Sequence, residues 1–130
     1  DDEIKKLKSL AKSNIEFLGR VSRETVIEHM FEAKGFIFPG VEDFGITPLE
    51  SLASGTPVIA YKAGGVLETL NEKVSLFFTE AKSESLIEAI EKYQTLQFHK
   101  ENLYARAEEF SKESFKLKIQ DQINLLMEKK

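Results

Sequence analysis

Cysteine is absent from this 130-residue chain. That removes a disulfide framework, a thiolate nucleophile and a cysteine metal site, and it suits a reducing cytoplasm. No apolar run approaches the ~18 residues of a membrane-spanning helix, and no signal peptide is visible. A basic excess is lacking as well: the formal charge is −4, so there is no electrostatic footprint for DNA or RNA. Lys5, Lys6, Lys8 and Lys12 sit beside Asp1, Asp2 and Glu3 and read as the solvated face of a first helix. With only three prolines and seven glycines, no linker, repeat or low-complexity tract divides the sequence. No His/Asp/Glu cluster has metal-ligand spacing, and His29 and His99 read as structural.

What is present is enough for one core. Hydrophobic residues make up 42% of the chain, and its length fits one domain, residues 1–130. Ile4, Leu7, Leu10 and Ala11 predict a helix to about residue 12, and Asn14–Leu18 a short strand ended by Gly19. Ser22 caps a helix over about 23–34 with Val26, Ile27, Met30, Phe31 and Ala33 inward. The continuous apolar run at Gly35–Phe38 predicts a strand covered on both faces. A helix from Thr47 to Ser54 ends at Gly55, followed by strand Pro57–Tyr61, a Gly64-Gly65 turn, a short helix at 66–70 and a strand at Leu76–Phe78. Beyond Ser83 the spacing is helical, through Leu86, Ile87, Ile90, Tyr93 and Leu96, then Leu103, Ala107 and Phe110. A final helix carries Phe115, Ile119, Ile123 and Leu126. The expected class is α/β: a Rossmann-like parallel sheet with flanking helices and a helical C-terminal segment. Three or four strands are few for a free-standing doubly wound domain. With a first residue other than methionine, this predicts a piece of a larger protein.

In open α/β sheets, ligands bind beyond the carboxyl ends of the strands. Strand 35–38 leads into Pro39–Ile46 and strand 57–61 into Lys62–Gly65, so both loops meet there if the strands are neighbours. Thr47-Pro48 reads as an N-cap and first helical position. The amides of Phe44, Gly45, Ile46 and Thr47 are then open to an anion, favoured by the helix dipole. Glu42 and Glu50 flank that point and suit vicinal hydroxyls, so a sugar nucleotide fits. Two plainer readings stand beside this one: Thr47 and Glu50 also spell a capping box, and Glu42-Asp43 also fits an ordinary acidic loop. No GxGxxG or P-loop lysine motif occurs.

Residues 36–69, FIFPGVEDFGITPLESLASGTPVIAYKAGGVLET, resemble the donor-site signature of the retaining glycosyltransferases of family 4, which have two Rossmann-like domains in the GT-B architecture. The pair Glu42-x7-Glu50 and the later AGGVLET carry the likeness. NIEFLGRVSRETVIEHM upstream and AEEFSKESFKLKI downstream extend it over most of the chain, and EDFGITPLE with GTPVIAYKAGG is similar to mannosyltransferases of polysaccharide assembly. The resemblance implies an incomplete C-terminal, donor-binding domain of a hexosyltransferase, with GDP-mannose the first donor choice and a UDP-hexose the second. Glu42 would contact the transferred sugar at the reaction centre. Phe44, Gly45, Ile46 and Thr47 would offer amides to sugar and diphosphate, Glu50 would accept from the ribose, and Gly19, Arg20 and Val21 would lie near the base. It further implies an oxocarbenium-like transition state with retention, no metal or other cofactor, and a glycan or lipid-linked acceptor held by an N-terminal domain. The expected setting is the cytoplasm, with peripheral membrane association in the full-length protein. Gly40 departs from the family's usual serine after Phe-Pro, and Val74-Ser75-Leu76 from a usual glycine. The family's basic pair for the diphosphate lies upstream of this chain, so the chain alone is expected to be inactive. The alternative is a non-catalytic Rossmann-like module that binds a nucleotide or a protein, its glutamates serving as caps.

Overall fold

Three short apolar runs form a parallel sheet in the computed structural model, which describes residues 2–43 and 46–128, without the side chains of 113–119 and 122. Strands β1 (Phe36–Phe38), β2 (Val58–Tyr61) and β3 (Ser75–Phe78) lie in that order. Phe36 faces Val58 in register, and Val58 faces Ser75. Around them run α1 (Asp2–Leu10), α2 (Arg23–Glu32), α3 (Ile46–Ala53), α4 (Val66–Thr69), α5 (Ser83–Tyr93), α6 (Lys100–Glu109) and α7 (Lys112–Glu128). The α/β class and the Rossmann-like layering expected from the sequence are what the chain adopts. Among the described residues, no helix is long and apolar enough to cross a membrane.

The two-residue side-chain period of a strand sorts the core into two layers. Val58 and Ala60 face one way and join Phe38, Leu49, Leu52, Val66, Leu70, Val74 and Leu103, so α3, α4 and α6 cover that face. Ile59 faces the other way and packs with Phe78 and Ala89 of α5. β2 is therefore buried on both faces, as its continuous apolar run requires.

β1 is not. It lies at the edge of the sheet, and Ile37, on the face away from α3, is 41% exposed. Phe36 and Phe38 pack into the layer on the α3 side, so the expectation of a strand covered on both sides fails at Ile37. A second correction concerns residues 14–18, which form no strand: none of the three strands pairs with them, and a ladder needs a partner for its N–H and C=O groups. Ile15, Phe17 and Leu18 are exposed, as are Ile4, Leu7 and Leu10 of α1. In α2 only Met30 of the expected inner face is buried; Val26, Ile27 and Phe31 are exposed, and Ala33 lies beyond the helix end.

Local signals were otherwise followed. Ser22 accepts from the Thr25 N–H at 3.2 Å and caps α2. Gly55 leaves α3 with a φ of +83°, a conformation that favours glycine. The helix start at residue 47 needs revision. α3 begins at Ile46, so Thr47 is its second residue rather than its cap, and Pro48 is the third. The first four N–H groups of a helix lack an internal acceptor, so proline costs nothing at this third position either. The expected inward side chains Phe115 and Ile119 lie outside the described residues.

Candidate donor site at the carboxyl edge of the sheet

β1 and β2 are parallel neighbours, so the loops that leave them meet at one edge. The meeting is a hydrogen bond: the Gly65 N–H donates to the Glu42 carbonyl at 2.6 Å. Gly64 makes room for it. Its φ is +77°, and a Cβ there would lie 2.8 Å from the Glu42 carbonyl oxygen and 2.9 Å from Val41 Cγ1. The double glycine thus does more than turn the chain. It lets the β2 loop lie directly on the backbone of the β1 loop and leaves the Glu42 side chain exposed beside it.

From this loop the chain passes into α3. Phe44 and Gly45, two of the residues expected to offer amides, lie outside the described residues. Ile46 and Thr47 occupy the first two positions of the helix, where amides have no intrahelical acceptor. Glu50 follows one turn in, partly buried. Its carboxylate lies 3.3 Å from Arg23 Nη2 at the start of α2. Among the described residues this ion pair, not a bond back to Thr47, is what the carboxylate makes, so the capping-box reading does not describe the structure.

The remaining expected residues, Gly19, Arg20 and Val21, stand two to four residues before Arg23 in the chain. Gly19 adopts a φ of +67°, with open space where a Cβ would point. Glu42 and Glu50 stand on either side of the start of α3.

Sequence reasoning missed Arg23 and Arg106. Arg23 carries no motif; it is simply the first residue of a Ser22-capped helix. Arg106 binds the end of α4, and only the fold brings those elements together. Also missed was a cavity of about 770 Å³ between α3 and α6, with Ile46, Leu49, Ala53, Tyr104 and Phe110 in its wall and Arg23 and Glu50 at its edge. His29 bonds the Thr25 carbonyl oxygen through Nδ1 at 2.9 Å, within its own helix. Among the described residues, no group of three or more His, Asp or Glu side chains could hold a metal.

A family model described as glycosyl transferases group 1 matches residues 1–125. The chain belongs to that family. The alpha-1,3/1,6-mannosyltransferase of Mus musculus is 38% identical over 86 residues, covering 59% of this chain and 20% of the relative. A GDP-mannose-dependent monoacylated alpha-(1-6)-phosphatidylinositol monomannoside mannosyltransferase of Corynebacterium glutamicum is 31% identical over 103 residues, 70% of this chain and 27% of its own length. The chain therefore spans between 20% and 27% of these two relatives. In fold it is similar to a sucrose-phosphate synthase from Thermosynechococcus elongatus, with a TM-score of 0.77 at 23% identity, over 99% of this chain and 35% of that one.

Proposed function

We propose that this chain is the donor-binding part of a retaining glycosyltransferase, taking a nucleotide-diphosphate sugar and passing the hexose to a glycan or lipid-linked acceptor held by another domain. GDP-mannose is the first donor and a UDP-hexose the second; the mannosyltransferases among the relatives favour that order, one of them GDP-mannose-dependent by its name. The observation that carries the reading is the Gly65–Glu42 hydrogen bond, which gathers both strand-end loops beside the start of α3.

In this reading Glu42 contacts hydroxyls of the transferred sugar. The amides of Phe44, Gly45, Ile46 and Thr47 face the sugar and the diphosphate, whose negative charge grows as the bond to the anomeric carbon breaks. Donors fixed in advance at the leaving group stabilise the transition state more than the ground state. Each is worth about 2.7–4 kcal/mol where such donors have been removed from oxyanion holes. Glu50 accepts from the ribose, and Gly19, Arg20 and Val21 lie near the base. Ion pairing to Arg23 supports that role for Glu50 by holding an acceptor-only carboxylate at the site. The chemistry asks for no metal.

Amide chemical shifts recorded while titrating GDP, UDP, GDP-mannose and UDP-glucose test this. Saturable shifts confined to 19–23, 42–50 and 64–65 are expected, with the tighter series naming the base. Shifts spread evenly over the surface, or none in the complete enzyme at millimolar ligand, defeat the reading.

A further inference from the structure

We propose that Arg106 is a positioning residue for the sugar-side loop, acting through α4 on Glu42; this rests on the donor-site reading above. Arg106 lies on α6, yet its guanidinium grips α4. Nε donates to the Thr69 carbonyl at 2.8 Å and Nη2 to the Glu68 carbonyl at 2.9 Å. The last carbonyls of a helix have no internal donor, and a cation is favoured there by the helix dipole. The rigid fork of a guanidinium engages two adjacent carbonyls at once, which a lysine ammonium cannot reproduce. The grip is itself held: Nη1 meets the Glu109 carboxylate at 2.6 Å, and the guanidinium carbon lies 5.0 Å over the Phe110 ring.

The other end of α4 reaches the site. Gly65 precedes the helix, and its N–H holds the Glu42 carbonyl. Between the ends there is one turn, about 6 Å long at 1.5 Å per residue. That turn is stiffened by the Leu70 N–H on the Val66 carbonyl at 2.9 Å and by Thr69 Oγ1 on the Gly65 carbonyl at 3.3 Å. Val66 and Leu70 fix it sideways in the core. What remains is movement along the strut, and Arg106 opposes it from one end while Glu42 receives it at the other. An exposed catalytic-loop carboxylate is thereby placed by a residue that never meets the ligand.

The test combines amide hydrogen exchange at Gly65 with affinities for a nucleoside diphosphate and for its sugar conjugate, using whichever of the GDP and UDP series the wild type prefers. Arg106→Gln is expected to speed Gly65 exchange about tenfold and to lower affinity for the sugar conjugate about tenfold. Affinity for the bare diphosphate stays within about twofold, because Glu50 and the α3 amides are untouched. Arg106→Lys keeps the charge but loses the fork, and recovers part of both losses; it serves also if the glutamine variant folds poorly. Unchanged Gly65 exchange overturns the strut. So does faster exchange with the sugar increment intact, or an equal loss for both ligands, which is what a merely structural arginine produces. A wild type that binds neither ligand defeats the donor-site reading and the Glu42 role with it, while the exchange data still decide whether Arg106 holds α4.

Discussion

The Gly65 N–H and the Glu42 carbonyl are joined at 2.6 Å across two loops that leave neighbouring parallel strands. The approach depends on Gly64, which has no side chain to hold them apart. Gly64→Ala would set a Cβ 2.8 Å from the Glu42 oxygen and impose a left-handed φ on an L-residue. The backbone term alone costs about 1–2 kcal/mol, and the displaced loop should abolish the sugar-dependent part of donor affinity. Gly40→Ser is the matching control. A Cβ there meets only the Phe38 ring, at 3.6 Å, so stability should stay within about 0.5 kcal/mol. Thermal unfolding and titration of both variants check the contrast.

Arg23 and Glu50 separate a ribose-binding glutamate from one that serves only an ion pair. The arginine side chain is 70% exposed and the glutamate side chain 24%. Such a pair contributes little to stability, so Arg23→Ala should move unfolding by less than about 1 kcal/mol. If Glu50 receives the ribose, Glu50→Gln lowers nucleotide affinity about tenfold or more, since a charge-assisted bond is lost. Arg23→Ala then has a much smaller effect. Should the two substitutions behave alike in calorimetric titrations, Glu50 serves the ion pair alone.

These side chains show how far sequence reasoning reached. β2 was legible because its apolar run is bounded by Pro57 and Gly64-Gly65, and α2's start because Ser22 does what an N-cap does. Glu42 and Glu50 stood out by spacing within a family-like signature, while Arg23 did not, because an arginine at a helix start is unremarkable. Arg106 joins α6 to α4, and its role follows from tertiary placement that no local pattern encodes. Three of the errors share one cause. Ile37, Phe17 and Phe31 are apolar at positions with strand or helix periodicity, and periodicity marks a face without saying what covers it.

Thr56 stabilises the fold through a hydroxyl that joins two elements. It is buried, and its Oγ1 donates to the Met30 carbonyl, with the Ala33 carbonyl 3.4 Å away, tying the end of α2 to the chain entering β2. Thr56→Val preserves shape but leaves the Met30 carbonyl with the Ala33 N–H at 3.3 Å as its remaining donor, a loss of about 0.5–1.5 kcal/mol. Thr56→Ser keeps the hydroxyl and should recover most of it. Urea unfolding reads this as a lower midpoint with an unchanged slope; equal midpoints for valine and threonine would show that the Met30 carbonyl gains nothing from the bond.

Tyr93 gives the fold an alkaline limit. Its hydroxyl donates to the Lys34 carbonyl, its ring stacks on Phe98 at 5.4 Å, and burial raises the phenol above the ordinary tyrosine pKa. Ionisation would remove the donated proton and place a charge in a desolvated site. The folded state therefore keeps the proton at a pH where the unfolded chain has released it. Stability from this group is fully present below the unfolded value near 10 and is lost as pH rises through the folded value, because there the native state binds more protons than the unfolded one. Wild-type protein should lose unfolding temperature as pH rises above about 10, and Tyr93→Phe should lose less over the same range while starting lower at neutral pH. Parallel pH profiles for the two proteins would mean that Tyr93 titrates alike in both states and that the alkaline limit lies elsewhere.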